Sequence, residues 1–170
     1  MILRQLGIRE GNIMSVITSG DMTPEPRPVI PALGKYYRFT SDLAYLIVRV
    51  TAGLMLIPHG WPKVFGRGAT GVAAMLTNYG IPAAQPFAYL IMGLETIGGI
   101  LIAIGLFTRP IAALLVIEFL VIVFVAHWPK GYAVSAGGIE YPLFWGLILL
   151  AILLRGGGPW SLDRKLGREI

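Results

Sequence analysis

Four apolar runs stand out along the chain, at about 43–62, 87–107, 111–128 and 139–154. A hydrocarbon core of roughly 30 Å takes about 20 residues of helix to cross. The runs therefore predict an all-α membrane protein, a four-transmembrane-helix bundle. Pro58 lacks the amide that the helical ladder needs, which predicts a kink or an early stop in the first run. The stretch Gly71–Gly80 predicts a short helix, ended by Gly80 and Pro82 and too short to cross. Thr108-Arg109-Pro110 predicts a tight turn, and residues 129–139 a loop rich in small residues. A bundle domain at 43–155 then lies between two tails. The tail at 1–42 holds Pro24, Pro26, Pro28 and Pro31, so part of it is extended and irregular. Tyr36, Tyr37 and Phe39 beside Lys35 and Arg38 read as an interfacial anchor. The tail at 156–170 is polar and basic.

Composition agrees with this pattern. Of 170 residues, 55% are hydrophobic and 14% charged, where a soluble domain carries about 25% charged. The mean hydropathy is +0.71. The net charge of +5 would suit a nucleic-acid binder, but the basic residues sit at the ends of the apolar runs. Membrane topology accounts for them and nucleic acid does not. Ten lysines and arginines fall in the two tails and the Arg109 turn, against three (Lys63, Arg67, Lys130) on the other side. The positive-inside bias then places both termini in the cytoplasm. With no cysteine, disulfides, thiolate metal sites and thiol relays are excluded. The N-terminal residues do not read as a cleavable signal, so the first span serves as its own insertion signal.

The candidate chemistry is a set of ionisable groups within apolar runs. Such groups are costly in lipid and usually face a partner or a polar cavity. His59-Gly60-Trp61-Pro62-Lys63 ends the first span, and His127-Trp128-Pro129-Lys130 ends the third. Glu95 comes after the first cluster and Glu140 after the second. This echo predicts a weak repeat of two helical hairpins. It brings His59, Lys63, His127, Trp61 and Trp128 to one mouth, with Glu95 deeper. Arg49 and Glu118 precede their histidines by ten and nine residues, so the repeat sets them at similar depth and predicts an ion pair. Arg109 and Glu140 are further candidates for an intramembrane ion pair or relay, and with Arg155 they also suit topology or helix-end charges. Both tryptophans also suit ordinary interface anchors. Histidine titrates near neutral pH and can relay protons. Two histidines as haem b ligands are disfavoured, because both sit beside prolines at a span end. No metal cluster is expected.

Certain residues carry a family likeness: Arg49, Gly53, His59-Gly60, Lys63-Val64-Phe65-Gly66, Gly80-Ile81-Pro82, Glu95 with Gly98-Gly99, Gly105-Leu106-Phe107-Thr108-Arg109, His127, and Gly158-Pro159-Trp160-Ser161-Leu162-Asp163. Over about 43–165 the chain resembles the DoxX family of small bacterial membrane proteins. The resemblance implies four helices in the inner membrane and an association with redox systems. Relatives include small subunits of a thiosulfate:quinone oxidoreductase. Others are linked to oxidative-stress complexes with superoxide dismutase and sulfurtransferase partners. By position, the family's polar pocket falls on Arg49, His59, Lys63, Glu95, Arg109 and His127.

The leading expectation is a quinone-interacting membrane subunit of an oxidoreductase, with no tightly bound cofactor. His59 and His127 would donate hydrogen bonds to the quinone carbonyls and Lys63 would give electrostatic support. Glu95 would pass protons, and Trp61, Trp128, Phe87 and Tyr141 would wall the head group. One alternative is a non-enzymatic anchor that gathers soluble redox enzymes through its tails. Another is a small-solute or proton-coupled transporter, which four helices could support only as a homodimer.

Overall fold

The computed structural model describes residues 28–168, and the remainder of the long N-terminal tail lies outside the described residues. The chain divides into two units, 1–38 and 39–170. Of the first, the described part holds a 3₁₀ turn, Pro31–Leu33, succeeded by the opening residues of α1. Tyr36 and Tyr37 are exposed there, their rings 6.0 Å apart.

Helix α1 is Gly34–Pro62. It begins about nine residues before the predicted span. Pro58 does not stop it: the helix runs through Pro58 to Pro62. A single missing amide is tolerated in a membrane helix when the freed carbonyl finds other partners. Its buried positions are Arg49, Ala52, Gly53, Leu56 and Gly60, a stripe at helical spacing. A wide π turn, Lys63–Arg67, leads into α2, Gly68–Asn78. The amide of Ile81 closes α2 onto the Leu76 carbonyl at 3.1 Å, with Gly80 at φ +74°. This is the glycine-assisted stop foreseen at Gly80.

The next crossing is built in three pieces: α3 (Ala84–Gly93), a π turn (Leu94–Gly98) and α4 (Gly99–Ile104). Helix α5, Thr108–Val121, likewise passes into a π turn, Ile122–His127, and a 3₁₀ turn, Trp128–Lys130. Helix α6 is Glu140–Arg155, and a short α7, Leu162–Lys165, comes after it. Among the described residues there is no strand. Among the described residues, three helical stretches are long and apolar enough to cross a membrane: Pro31–Asn78, Ala84–Ile104 and Thr108–Lys130. Helix α6 has 16 residues, or about 24 Å at 1.5 Å per residue, which is short of a full hydrocarbon core.

One core joins α1, the α3–α4 crossing, α5 and α6 through Ala52, Leu56, Leu94, Ile102, Ala112, Leu115, Phe119, Leu149 and Ile152. A smaller one packs α2 on α3 through Val72, Ala73, Leu76 and Ala88. Small residues set the spacing of α1 against α4. A Cβ on Gly53 would stand 2.4 Å from the Gly99 carbonyl oxygen and 2.5 Å from the Ala103 nitrogen. Close backbone approach of this kind replaces the hydrophobic drive that lipid removes.

Candidate functional site

Two polar clusters form along this first crossing, one at Arg49 in the middle of α1 and one at Lys63, just beyond its C-terminal end. Fourteen residues separate them, or about 21 Å along the helix.

At the Arg49 end, the guanidinium is buried and caps a helix terminus. Its Nη1 donates to the carbonyls of Ile102 (2.7 Å) and Ala103 (2.8 Å), at the last turn of α4. Its Nη2 donates to the Trp160 carbonyl at 2.9 Å. A cation there is favoured by the helix dipole. The carboxylate of Asp163 accepts from the amides of Phe107 (2.8 Å) and Thr108 (2.9 Å) and from the Thr108 hydroxyl (2.7 Å). It thereby satisfies the first donors of α5. The Asp163 amide donates back to the Gly105 carbonyl at 2.9 Å. Gly105, at φ +72°, has no room for a side chain: a Cβ would stand 2.6 Å from Arg49 Nη1 and from Ser161 Cβ. The Gly105–Thr108 turn and the Trp160–Asp163 segment, far apart in sequence, thus form one latch. Nearby, the Tyr45 hydroxyl donates to the Gly156 carbonyl, and Arg155 lies 4.4 Å over the Tyr45 ring.

At the other end lies a cavity of about 380 Å³. Helix α1 and its π turn supply Met55, Leu56, His59 and Lys63, and the next crossing supplies Glu95. Helix α5 and its π turn give Phe119, Ile122 and His127, the loop gives Val134, Gly137 and Gly138, and α6 gives Tyr141, Pro142 and Trp145. Each of the three π turns holds one of the polar residues here: Lys63, Glu95 or His127. A π turn shifts the register of the helix beyond it and often re-aims a functional side chain. Lys63 Nζ donates to both oxygens of Glu95, whose side chain is 5% exposed. His127 Nδ1 donates to the Gly137 carbonyl at 2.7 Å, because a carbonyl can only accept. The neutral ring therefore offers Nε2 as an acceptor. The hydroxyl of Tyr141 stands 3.4 Å from His59 Nε2, and Tyr141 meets Trp145 edge-on.

Four of the six residues assigned to the mouth from the sequence are brought together: His59, Lys63, Glu95 and His127. Trp61 and Trp128 are not among the lining residues. Both are 57% exposed, and they pack on Phe65 and Phe124. Tyr141 lines the cavity as expected, Phe87 does not, and Trp145 is an aromatic wall that the sequence pattern did not mark. The Arg49–Glu118 pair is corrected. Arg49 is taken up by three carbonyls at the latch, and Glu118 lies beside Glu95 and Lys63. The repeat placed them level, but Arg49 reaches the last turn of α4 and Trp160, while Glu118 faces the side of the Leu94–Gly98 turn. The π turns, which no residue count reveals, alter which faces meet. Glu140 accepts from the Val134 amide at 2.9 Å instead of pairing with Lys130, so the two halves of the echo have different partners. Arg109 is half-buried at the start of α5, at the latch end and away from the cavity. Asp163 carries part of the family likeness, but nothing in the sequence assigns it a role beyond the tail. The signal that marks it is a polar Ser-Leu-Asp shortly after the glycines that end the last apolar run.

An all-helical multi-pass membrane protein with a polar cavity at one end of its helices is thus defined. The chain belongs to the DoxX family, whose model, described as DoxX, matches residues 44–128. It is 30% identical over 138 residues to "Inner membrane protein YphA" of Escherichia coli, covering 77% of this chain and 97% of that protein. It is also 30% identical to "Uncharacterized membrane protein Rv3486" of Mycobacterium tuberculosis, covering 73% and 82%. With "Putative oxidoreductase CatD" of Bacillus subtilis it shares 27% identity, covering 72% and 86%. No solved structure matches the chain at a significant level. The protein is a multi-pass protein of the bacterial inner membrane.

Proposed function

We propose that this protein is a membrane subunit of a redox system and that its cavity takes a quinone head group. The observation that carries this reading is the lining of the 380 Å³ cavity: two histidines, a lysine–glutamate pair and the rings of Tyr141 and Trp145 around one hollow. That volume is near the lower end of small-molecule pockets, about 300–1,000 Å³, and suits one ring better than a large ligand. A quinone supplies two-electron, two-proton chemistry when bound. The side chains divide the polar work. Neutral His127 presents an acceptor, which suits a hydroxyl of the reduced head group, and only its imidazolium could donate to a carbonyl. This revises the donor role expected for it from the sequence. His59, at the exposed side of the cavity, is free to take either role. Lys63 holds positive charge next to the ring, anchored by Glu95. CatD's name adds support for redox chemistry. Electrons would come from a protein partner.

In the same proposal α6 is a fourth crossing through a locally thinned bilayer, with both termini on the cytoplasmic side. The latch then faces the cytoplasm and the cavity the opposite leaflet. The test is to reconstitute the protein in nanodiscs and titrate menaquinone and ubiquinone. Saturable binding that Trp145→Ala and His127→Ala weaken, and Trp61→Ala does not, supports the proposal. Absence of binding, alone and with candidate redox partners, ends it.

A further inference from the structure

Glu118 is 7% exposed, and neither of its carboxylate oxygens meets a hydrogen-bond donor. The Leu94–Gly98 turn packs against α5 through Leu94, Leu115 and Phe119, which sets Glu95 beside Glu118, with Lys63 the next charged group. Lys63 already donates to both oxygens of Glu95. The buried cation Arg49, about 21 Å away along the helix, is held by the carbonyls of Ile102, Ala103 and Trp160. From α6, which packs on α5, no charge reaches this level: Glu140 is bonded to Val134, and Arg155 lies over Tyr45. The remaining titratable groups of the neighbourhood, His59, His127 and Tyr141, line the cavity. Two ionised carboxylates against one ammonium would leave an uncompensated negative charge inside an apolar span with nothing to solvate it. One added proton removes the charge and supplies the missing donor.

We propose that Glu95 and Glu118 together bind one proton, carried by Glu118 and donated to the Glu95 carboxylate, as a proton-exchange site that opens on the cavity through Glu95. The arrangement Lys63 ammonium, Glu95 carboxylate and Glu118 carboxylic acid is neutral, and the new O–H has an acceptor. Transfer breaks the O–H bond on Glu118 and forms one on Glu95, with the negative charge passing the other way. No electrons move. Because Glu95 lines the cavity and Glu118 does not, Glu95 is the gate and Glu118 the store. The store refills when a proton returns through Glu95. This holds whatever the cavity binds and does not rest on the quinone reading.

The test is infrared spectroscopy of the ligand-free protein in nanodiscs at neutral pH, with glutamate labelled by ¹³C at its side-chain carboxyl. The wild type should show the C=O stretch of a protonated carboxylic acid, shifted by the label and by D₂O. Glu118→Gln, which mimics the neutral acid, should lose the band. Glu140→Gln should keep it. Absence of the band in the wild type overturns the proposal without reference to any variant. Persistence of an unchanged band in Glu118→Gln overturns it as well. Quinone titration is a separate measurement, so failure of either idea leaves the other standing.

Discussion

Removal of the Asp163 carboxylate gives a direct measure of the latch. Asp163 is 5% exposed and Thr108 fully buried. Asp163→Ala strands the Thr108 amide and hydroxyl as buried donors, along with the Phe107 amide. A stranded buried donor costs about 1–3 kcal/mol, so the two on Thr108 alone set the loss at about 3 kcal/mol, taking the low half of the range. Asp163→Asn keeps one acceptor oxygen but gives up the charge, and should lose about half as much, near 1.5 kcal/mol. Unfolding in mixed micelles by titration with denaturing detergent, monitored by circular dichroism, reads both numbers. A double-mutant cycle with Thr108→Val should return a coupling of at least about 0.5 kcal/mol, as contacting residues do. If Asp163→Ala lies within about 0.5 kcal/mol of wild type, the carboxylate does not hold the turn.

Gly53→Ala should destabilise the protein by about 1–3 kcal/mol through overpacking, whereas Gly66→Ala, which meets nothing within 4 Å, should change little. Equal effects in the same unfolding assay would deny the close approach of α1 and α4. Lys63→Met should cost about 3 kcal/mol by leaving the Glu95 charge buried without a cation, and Lys63→Met with Glu95→Leu should recover part of it, Glu118 then having lost its acceptor. A double variant as unstable as the single would mean that the pair matters for its hydrogen bonds to other groups. Arg49→Lys should not restore the stability lost in Arg49→Ala. One ammonium cannot span three carbonyls that the planar fork reaches at 2.7, 2.8 and 2.9 Å. Full rescue in thermal melts would show that charge alone suffices.

Much of this could be read from the chain. Long apolar runs fix where helices form, and the cost of charge in lipid drives His59, Lys63, Glu95 and His127 toward one hollow. Partner identity was less legible. Arg49 and Glu118 matched in distance from their histidines and carried opposite charges, yet each found other company. Helical spacing predicts a face only while the turn stays at 3.6 residues, and three π turns interrupt it at Lys63–Arg67, Leu94–Gly98 and Ile122–His127. The tryptophans misled for another reason. A tryptophan at a span end serves the lipid interface as well as a pocket, and Trp61 and Trp128 lie outside the cavity lining. Asp163 was hidden because its partners lie 55 and 56 residues upstream, a relation that no local pattern records.

The latch also sets an order of events during biosynthesis. Arg49 leaves the ribosome 111 residues ahead of Trp160, its third carbonyl partner. At about 5–20 residues per second, that guanidinium waits roughly 6–22 s for its full complement of acceptors. The earlier crossings must therefore reside in the translocation machinery or the bilayer with an incompletely solvated cation. The nascent chain reaches its settled form only when the segment beyond the final apolar helix folds back and seals the turn from below.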